Sequence, residues 1–231
     1  MGIITRKLAN YPRLSKAYRI AKKVLLYLFI FQLAYTLLLI FMPVYTTPTI
    51  IGQWMGGKTI YKEWVSLKNI SESAQRAVIA KEDQDFEEHL GFDLAEIEEA
   101  VAHNKTHKNK RGASTITQQV AKNVFLWQGR TWVRKGLEVY CTLVIELFWS
   151  KKRILEVYLN IAEMGEGIFG IEAAAQQFFG KPAAKLNNEE SALIAACLSN
   201  PIIFRVNTPS EKVLKKQRWI MRQMKNVEWD R

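Results

Sequence analysis

A chain of 231 residues, 48% hydrophobic and 24% charged, has room for one ordinary domain plus an accessory segment. Its formal net charge of +11 invites a nucleic-acid partner, but the distribution of that charge excludes the class. Seven cations (Arg6, Lys7, Arg13, Lys16, Arg19, Lys22, Lys23) crowd residues 1–23 with no acid among them, which leaves 26 Lys/Arg against 22 Asp/Glu in a mildly basic body.

Residues 1–23 read as a basic cytoplasmic tail. From Val24 to Val44 the chain runs VLLYLFIFQLAYTLLLIFMPV, uncharged, with only Gln32 and Thr36 plainly polar. As a helix these 21 residues span about 32 Å, against a hydrocarbon core of roughly 30 Å. A cleaved signal peptide is the competing reading, but its apolar region is only about 7–15 residues and ends at a small-residue cleavage site. This run is longer and leaves through Met42-Pro43-Val44-Tyr45. Residues 24–45 are therefore expected to be an uncleaved single-pass anchor, N-terminus in the cytoplasm and everything after Thr46 outside.

Residues 46–69 read as an extended or weakly structured connector, punctuated by Pro48, Gly52, Gly56 and Gly57, with Trp54, Tyr61 and Trp64 suited to a membrane interface. Beyond Ile70 the periodicity is helical almost throughout. It predicts helices over Ser71–Asp83, Leu94–His103, Ser114–Phe125, Trp132–Trp149, Lys152–Tyr158, Ile171–Phe179, Asn188–Leu198 and Ser210–Lys225. Ser71, Asp93, Ser114 and Ser210 suit N-caps, and Asn188 precedes two glutamates. No alternating strand pattern of useful length stands out, a short hairpin in the connector aside. Cys141 and Cys197 lie in apolar helical surroundings; an extracytoplasmic location permits a disulfide, but nothing in the sequence places them together, and buried free thiols are the favoured reading. His89, His103 and His107 lack metal-site spacing, and no glycine-rich nucleotide fingerprint is present.

The stretch AVIAKEDQDFEEHLGFD (77–93) turns abruptly from apolar to acidic at Glu82. If its helix continues, Val78, Glu82, Phe86 and His89 share one face, and desolvation on such a wall makes a carboxylate a better base. Taken alone, the Glu-Asp pair reads better as a frayed helix end with solvated acids. Its surroundings argue for more. Between Glu82 and Glu99 stand nine acids and no Lys or Arg, whereas Ala100 to Leu137 holds no acid and eight cations (Lys105, Lys108, Lys110, Arg111, Lys122, Arg130, Arg134, Lys135). A solvated face usually mixes signs. Within that block GASTITQQVAKN (112–123) reads as a turn, a cap and a helix, with Ser114, Gln118 and Lys122 on one polar stripe starting at a positive helix N-terminus, suited to a phosphate- or sugar-bearing ligand. In RKGLE (134–138), Arg134, Lys135 and Glu138 lie close together at helical spacing, a cluster suited to a departing diphosphate.

These stretches, EDQDFEEHLGFD, GASTITQQVAKN, RKGLE and KKRILEVYLNIAEMGEGIFGIEAAAQQFFGK, resemble in order and spacing the signatures of the family 51 glycosyltransferases, the peptidoglycan glycosyltransferases of bacteria. The resemblance runs from about Ile70 to Pro201. It implies a mainly α, lysozyme-like catalytic domain (70–231) with a small membrane-proximal jaw, set in the bacterial inner membrane by the anchor, with no transpeptidase domain. By resemblance Glu82 matches the catalytic base, with Asp83, Phe86 and His89 completing its motif. Ser114, Thr115, Gln118, Gln119, Lys122 and Asn123 match the donor-side motif, and Arg134, Lys135 and Glu138 the diphosphate cluster, with Glu138 the second catalytic glutamate. Lys152, Glu156, Tyr158 and Asn160 match a mainly structural fourth motif. The implied substrates are lipid II and the lipid-linked growing glycan, with cell-wall synthesis or division proteins as further partners. No cofactor is required, although a divalent cation (Mg or Mn) on the diphosphate is compatible with the chemistry. Lys81 departs from the pattern, where a small or neutral residue is expected, and its charge opposes the effect of the apolar wall on Glu82.

Two other classes compete. A membrane-anchored muramidase would also use carboxylates, but a glycan leaving group needs a proton rather than a cationic block. A non-enzymatic module binding anionic wall polymers would explain the cations but not the Glu82 constellation.

Overall fold

A computed structural model describes residues 12–107, 109, 111–129 and 131–229. Arg6 and Lys7 of the basic tail, and Lys108, Lys110 and Arg130 of the acid-free block, lie outside the described residues. The chain forms two compact units, residues 1–42 and 43–231.

The first unit is dominated by α1 (Pro12–Leu38). Its stretch Ser15–Leu38 is long and apolar enough to cross a membrane. The helix begins inside the basic segment and gives way to a turn at Leu39, so the last apolar residues before Pro43 are not helical as the run alone suggested.

In the second unit the helices are α2 (Pro48–Met55), α3 (Glu72–Glu82), α4 (Leu94–Thr106), α5 (Ile116–Phe125), α6 (Trp132–Phe148), α7 (Lys151–Ile161), α8 (Ile171–Phe179), α9 (Asn188–Cys197) and α10 (Glu211–Gln223). Its helix starts follow local chemistry. Ser71, Asp93 and Ser210 accept from the amides of Ala74, Glu96 and Val213. At α5 and α9 the cap lies one residue away from the expected one. Thr115 rather than Ser114, and Asn187 rather than Asn188, close reciprocal capping boxes with Gln118 and Glu190.

Helix α7 runs through the core: Ile154, Leu155, Val157 and Leu159 are fully buried. Helix α5 packs against α6 and α7, while α3 packs against α9 and α10. Cys141 on α6 and Cys197 on α9 are buried free thiols, each pushed up to about 11 by burial.

The connector departs most from expectation. Thr47 caps α2, whose first residue is Pro48, and β1 (Tyr61–Lys62) joins a three-stranded sheet in the order β1-β3-β2 with β2 (Glu163–Gly165) and β3 (Ile168–Phe169). β1 runs parallel to β3, with Tyr61 opposite Ile168, so it is no local hairpin. Gly167 turns the antiparallel β2–β3 pair at φ +70, and a Cβ there would meet the Thr59 carbonyl oxygen at 2.3 Å. Two side chains of α7 pin the connector down. Asn160 exchanges hydrogen bonds with the Val65 backbone, both at 2.9 Å, and Glu156 accepts from the Leu67 amide at 2.9 Å. Trp54 and Tyr61 are exposed as an interfacial role requires. Trp64 is instead half-buried, with Lys62 and Arg153 at 5.6 and 5.3 Å from its ring.

Candidate active site

Glu82 is the last residue of α3. Asp83 leaves the helix at φ −169, so the predicted continuous face through Phe86 and His89 does not exist. The break sends two adjacent acids to different places. Glu82 turns outward to a cleft, where Oε1 accepts from Lys81 Nζ at 3.0 Å and Oε2 from Gln119 Nε2 at 2.7 Å. Asp83 turns inward and is buried, accepting from the Ile116 amide at 2.9 Å and meeting His89 Nε2 at 2.7 Å. The positive N-terminus of α5, expected to face a ligand, is thus satisfied by Asp83.

His89 and Phe86 serve the same knot. Burial lowers the His89 pKa, but its hydrogen bond to Asp83 and that carboxylate's charge raise it more, for a net rise. Its Nδ1 accepts from the Gly91 amide at 3.1 Å, which fixes the neutral tautomer with the proton on Nε2. Gly91 sits at φ +81, and a Cβ there would strike Thr142 Cγ2 at 2.6 Å. Phe86 is fully buried, with Lys151 Nζ 4.7 Å from its ring centroid and the Trp229 ring tilted against it at 6.0 Å.

On α5 the predicted stripe of Ser114, Gln118 and Lys122 is not the one the fold uses. Ser114 precedes the cap and is exposed, whereas Thr115 and Gln118 are buried in the capping box. Thr115 Oγ1 also donates to the Gly91 carbonyl at 2.7 Å. The cleft side of α5 is carried by Gln119, Lys122 and Asn123, which line a cavity of about 190 Å³ with Thr49, Tyr158 and Glu163. A second cavity, of about 290 Å³, opens at Lys81, Glu82 and Asp85 toward Glu96 and Trp219. Glu82 lines this cavity and Gln119 the first, and their hydrogen bond links the two walls.

The cation cluster is on the first turns of α6. Glu138 is buried and accepts from Arg134 Nη1 at 2.5 Å and from Lys135 Nζ. Arg134 Nε is tied to the Gly129 carbonyl at 2.6 Å, which fixes the guanidinium plane. Lys122 joins the two halves of the site. Burial lowers its pKa; Glu138 and Glu82 raise it, while Arg134 and Lys135 lower it. One carboxylate on the cleft, one buried carboxylate holding two cations, and a third cation between them can take a proton on one side and hold a polyanion on the other.

The family described as "Transglycosylase" matches residues 48–225. The chain belongs to the transglycosylase family. The biosynthetic peptidoglycan transglycosylases of Shigella sonnei (strain Ss046), Escherichia coli O1:K1 / APEC and E. coli (strain K12 / DH10B) are each 58% identical to it over 178 residues, 75% of this chain and 74% of the relative. The mainly helical domain is lysozyme-like, as the resemblance implied.

The transglycosylase match begins at Pro48 and runs to Lys225, so the connector and α10 belong to the domain and the motifs understate it. Reasoning from the sequence missed three residues beside the site. Tyr158, in the motif read as structural, is fully buried, and its hydroxyl donates to Gln119 Oε1 at 3.4 Å, behind the amide that holds Glu82. Burial pushes its pKa well above the ordinary tyrosine value, with Glu82 and Asp83 adding to the effect. Trp229 donates to Gln75 Oε1 at 2.7 Å and backs Phe86. Lys216 lies on α10, which packs against α3, and the charges of Lys81 and Glu82 act on it. No spacing signal could have found the last two, because each meets α3 only through the tertiary fold.

Proposed function

We propose that this chain polymerises the glycan strands of peptidoglycan, taking lipid II as acceptor and the lipid-linked growing glycan as donor. The observation that carries the reading is the arrangement of Glu82: its Oε2 is held by Gln119, and three residues along α5 Lys122 feels both Glu82 and the Arg134–Lys135–Glu138 cluster. Base and cations therefore serve one cleft.

Glu82 takes the proton from the acceptor GlcNAc 4-hydroxyl as that oxygen bonds to the donor MurNAc anomeric carbon. The bond from that carbon to the diphosphate oxygen breaks on the opposite face, and undecaprenyl diphosphate leaves. The anomeric centre inverts from α to a β-1,4 link. Lys122, Arg134 and Lys135 stabilise the departing negative charge, and Glu138 holds two of them in place. Asp83, Phe86, His89, Thr115 and Gln118 act by positioning. Ser114 and Asn123 are open to the sugars. The sugar donor is already activated, so no cofactor enters these steps. Among the described residues no group of three or more His, Cys, Asp or Glu is placed to hold a metal ion.

Helix α1 supplies a single membrane anchor, with its basic start on the cytoplasmic side and the catalytic unit outside. The relatives' shared name, biosynthetic peptidoglycan transglycosylase, supports glycan polymerisation as the activity. Incubation with labelled lipid II tests the whole reading. Polymer is expected; cleavage of added glycan without polymer marks a muramidase, and retention without turnover marks a binding module.

A further inference from the structure

Lys216 lies on α10, outside every quoted motif, yet Trp219, three residues further along the same helix, lines the cavity that opens at Glu82. The Lys216 Nζ donates to Ser199 Oγ at 2.6 Å. Lys212, one turn earlier on the same helix, stands 5.3 Å from the Phe204 ring centroid. Among the described residues neither lysine forms an ion pair with a carboxylate. Both border a cavity of about 320 Å³ whose other walls are Ala196, Ser199, Phe204 and Val213. Two lysines a turn apart beside an apolar pocket repel each other, and an anion bound between them would relieve that repulsion. Burial lowers the Lys216 pKa to about 8, Lys81 lowers it too, and Glu82 raises it.

The cations thus sort into two sets around Glu82. Arg134 and Lys135 pair with Glu138 on α6, whereas Lys212 and Lys216 stand on α10 at a cavity of their own. Lys81 and Gln119 hold different oxygens of the same carboxylate. The reacting muramyl ring also carries anions on two arms, a diphosphate on its anomeric carbon and a peptide on the lactyl ether of C3. The first set is taken by the diphosphate. A five-residue peptide reaches at most about 17 Å from the ring.

We propose that Lys212 and Lys216, with the apolar wall of Ala196, Phe204 and Val213, form a subsite for the C-terminal alanyl carboxylate of the peptide carried by the muramyl sugar. The ammonium groups take the carboxylate and the wall takes the alanyl methyl. This rests on the polymerase reading above.

The test compares lipid II whose peptide ends in a free carboxylate with the same molecule ending in a carboxamide, using the full chain in detergent. The wild type should show a KM about three- to tenfold lower for the acid, as expected of a half-exposed charge pair, with kcat little affected. K216M and K212M should bring the acid-to-amide KM ratio close to one, while K216R keeps it. Equal KM values in the wild type, or a ratio retained in both Met variants, overturns the subsite. So does an equal loss on both substrates with the ratio intact, which marks a structural role. A second measurement needs neither turnover nor a stable variant: N-acetyl-alanyl-alanine should shift resonances of residues around Phe204, and its amide should not. The same shifts from the amide, or from inorganic phosphate at equal concentration, overturn the assignment. Failure to polymerise either lipid II would instead overturn the parent reading, and the titration would still decide the subsite.

Discussion

Both oxygens of Glu82 are occupied at rest, one by Lys81 and one by Gln119, so an acceptor hydroxyl must displace one donor before its proton can move. Glu82→Gln keeps size and reach but cannot take the proton. Turnover should fall by at least the roughly 10²–10⁴-fold assigned to a general base, with the melting temperature little changed. Polymer formation from labelled lipid II, alongside a melting curve, measures both; a folded variant at near wild-type rate would remove Glu82 from the mechanism. Asp83→Asn should behave in the opposite way although it is the next residue. Its carboxylate is buried against His89 and the Ile116 amide, so the substitution should cost about 2–4 kcal/mol of stability and lower activity through the lost fold. Asp85→Asn and Glu87→Gln alter acids without such partners and should stay near wild type, within about 0.5 kcal/mol. The sequence shows two neighbouring acids in one motif. Only the break at Asp83 shows that one faces substrate and the other faces the core.

At the scale of elements, legibility followed range. Helices with a local cap and a long apolar period, such as α3, α4 and α10, were readable because their start signals act within four residues. Where two candidate caps adjoin, a tertiary bond decides: Thr115 wins over Ser114 while also bonding Gly91 across the site. The sheet was illegible because each strand has two or three residues and β1 finds its partner across the whole fold. Helix α2 carried Thr47 and Pro48, a sound start signal, but its eight residues and Gly52 leave almost no period to read. Two measurements test how the connector is held. Asn160→Ala leaves the Val65 amide and carbonyl without partners and should cost about 2–4 kcal/mol, read as a shift of the urea midpoint. Lys62 on β1 donates to the Val44 carbonyl at 2.8 Å, and burial lowers its pKa to about 8. Between pH 8 and the ordinary lysine value near 10.5, the unfolded chain holds a proton that the folded one releases, so this residue adds stability as pH rises. The stability of Lys62→Met relative to wild type should therefore decline through that window; a constant gap would show that Lys62 titrates normally.

At the scale of the molecule, charge and hydropathy divide the labour that the motifs do not describe. The excess cations sit largely before the apolar run, and the catalytic unit is nearly balanced, so attachment and chemistry are separable. A protein lacking residues 1–42 should fold, because residues 43–231 form their own compact unit with their own core. Its substrate is confined to a membrane, so tethering acts by raising local concentration. Turnover on lipid II in vesicles should then fall by about tenfold or more, whereas turnover in detergent, where enzyme and substrate share micelles only by chance, should fall much less. The catalytic unit also exposes Trp54, Trp127 and Trp132, side chains that suit a membrane interface and would hold part of the truncated protein on vesicles. Co-sedimentation separates the two contributions: replacing the three tryptophans by Ala in the truncated protein should release it to the supernatant and remove the residual vesicle activity. If the truncated protein works as fast on vesicles as the full chain, α1 does not concentrate the enzyme on its substrate, and the apolar run must be assigned another role.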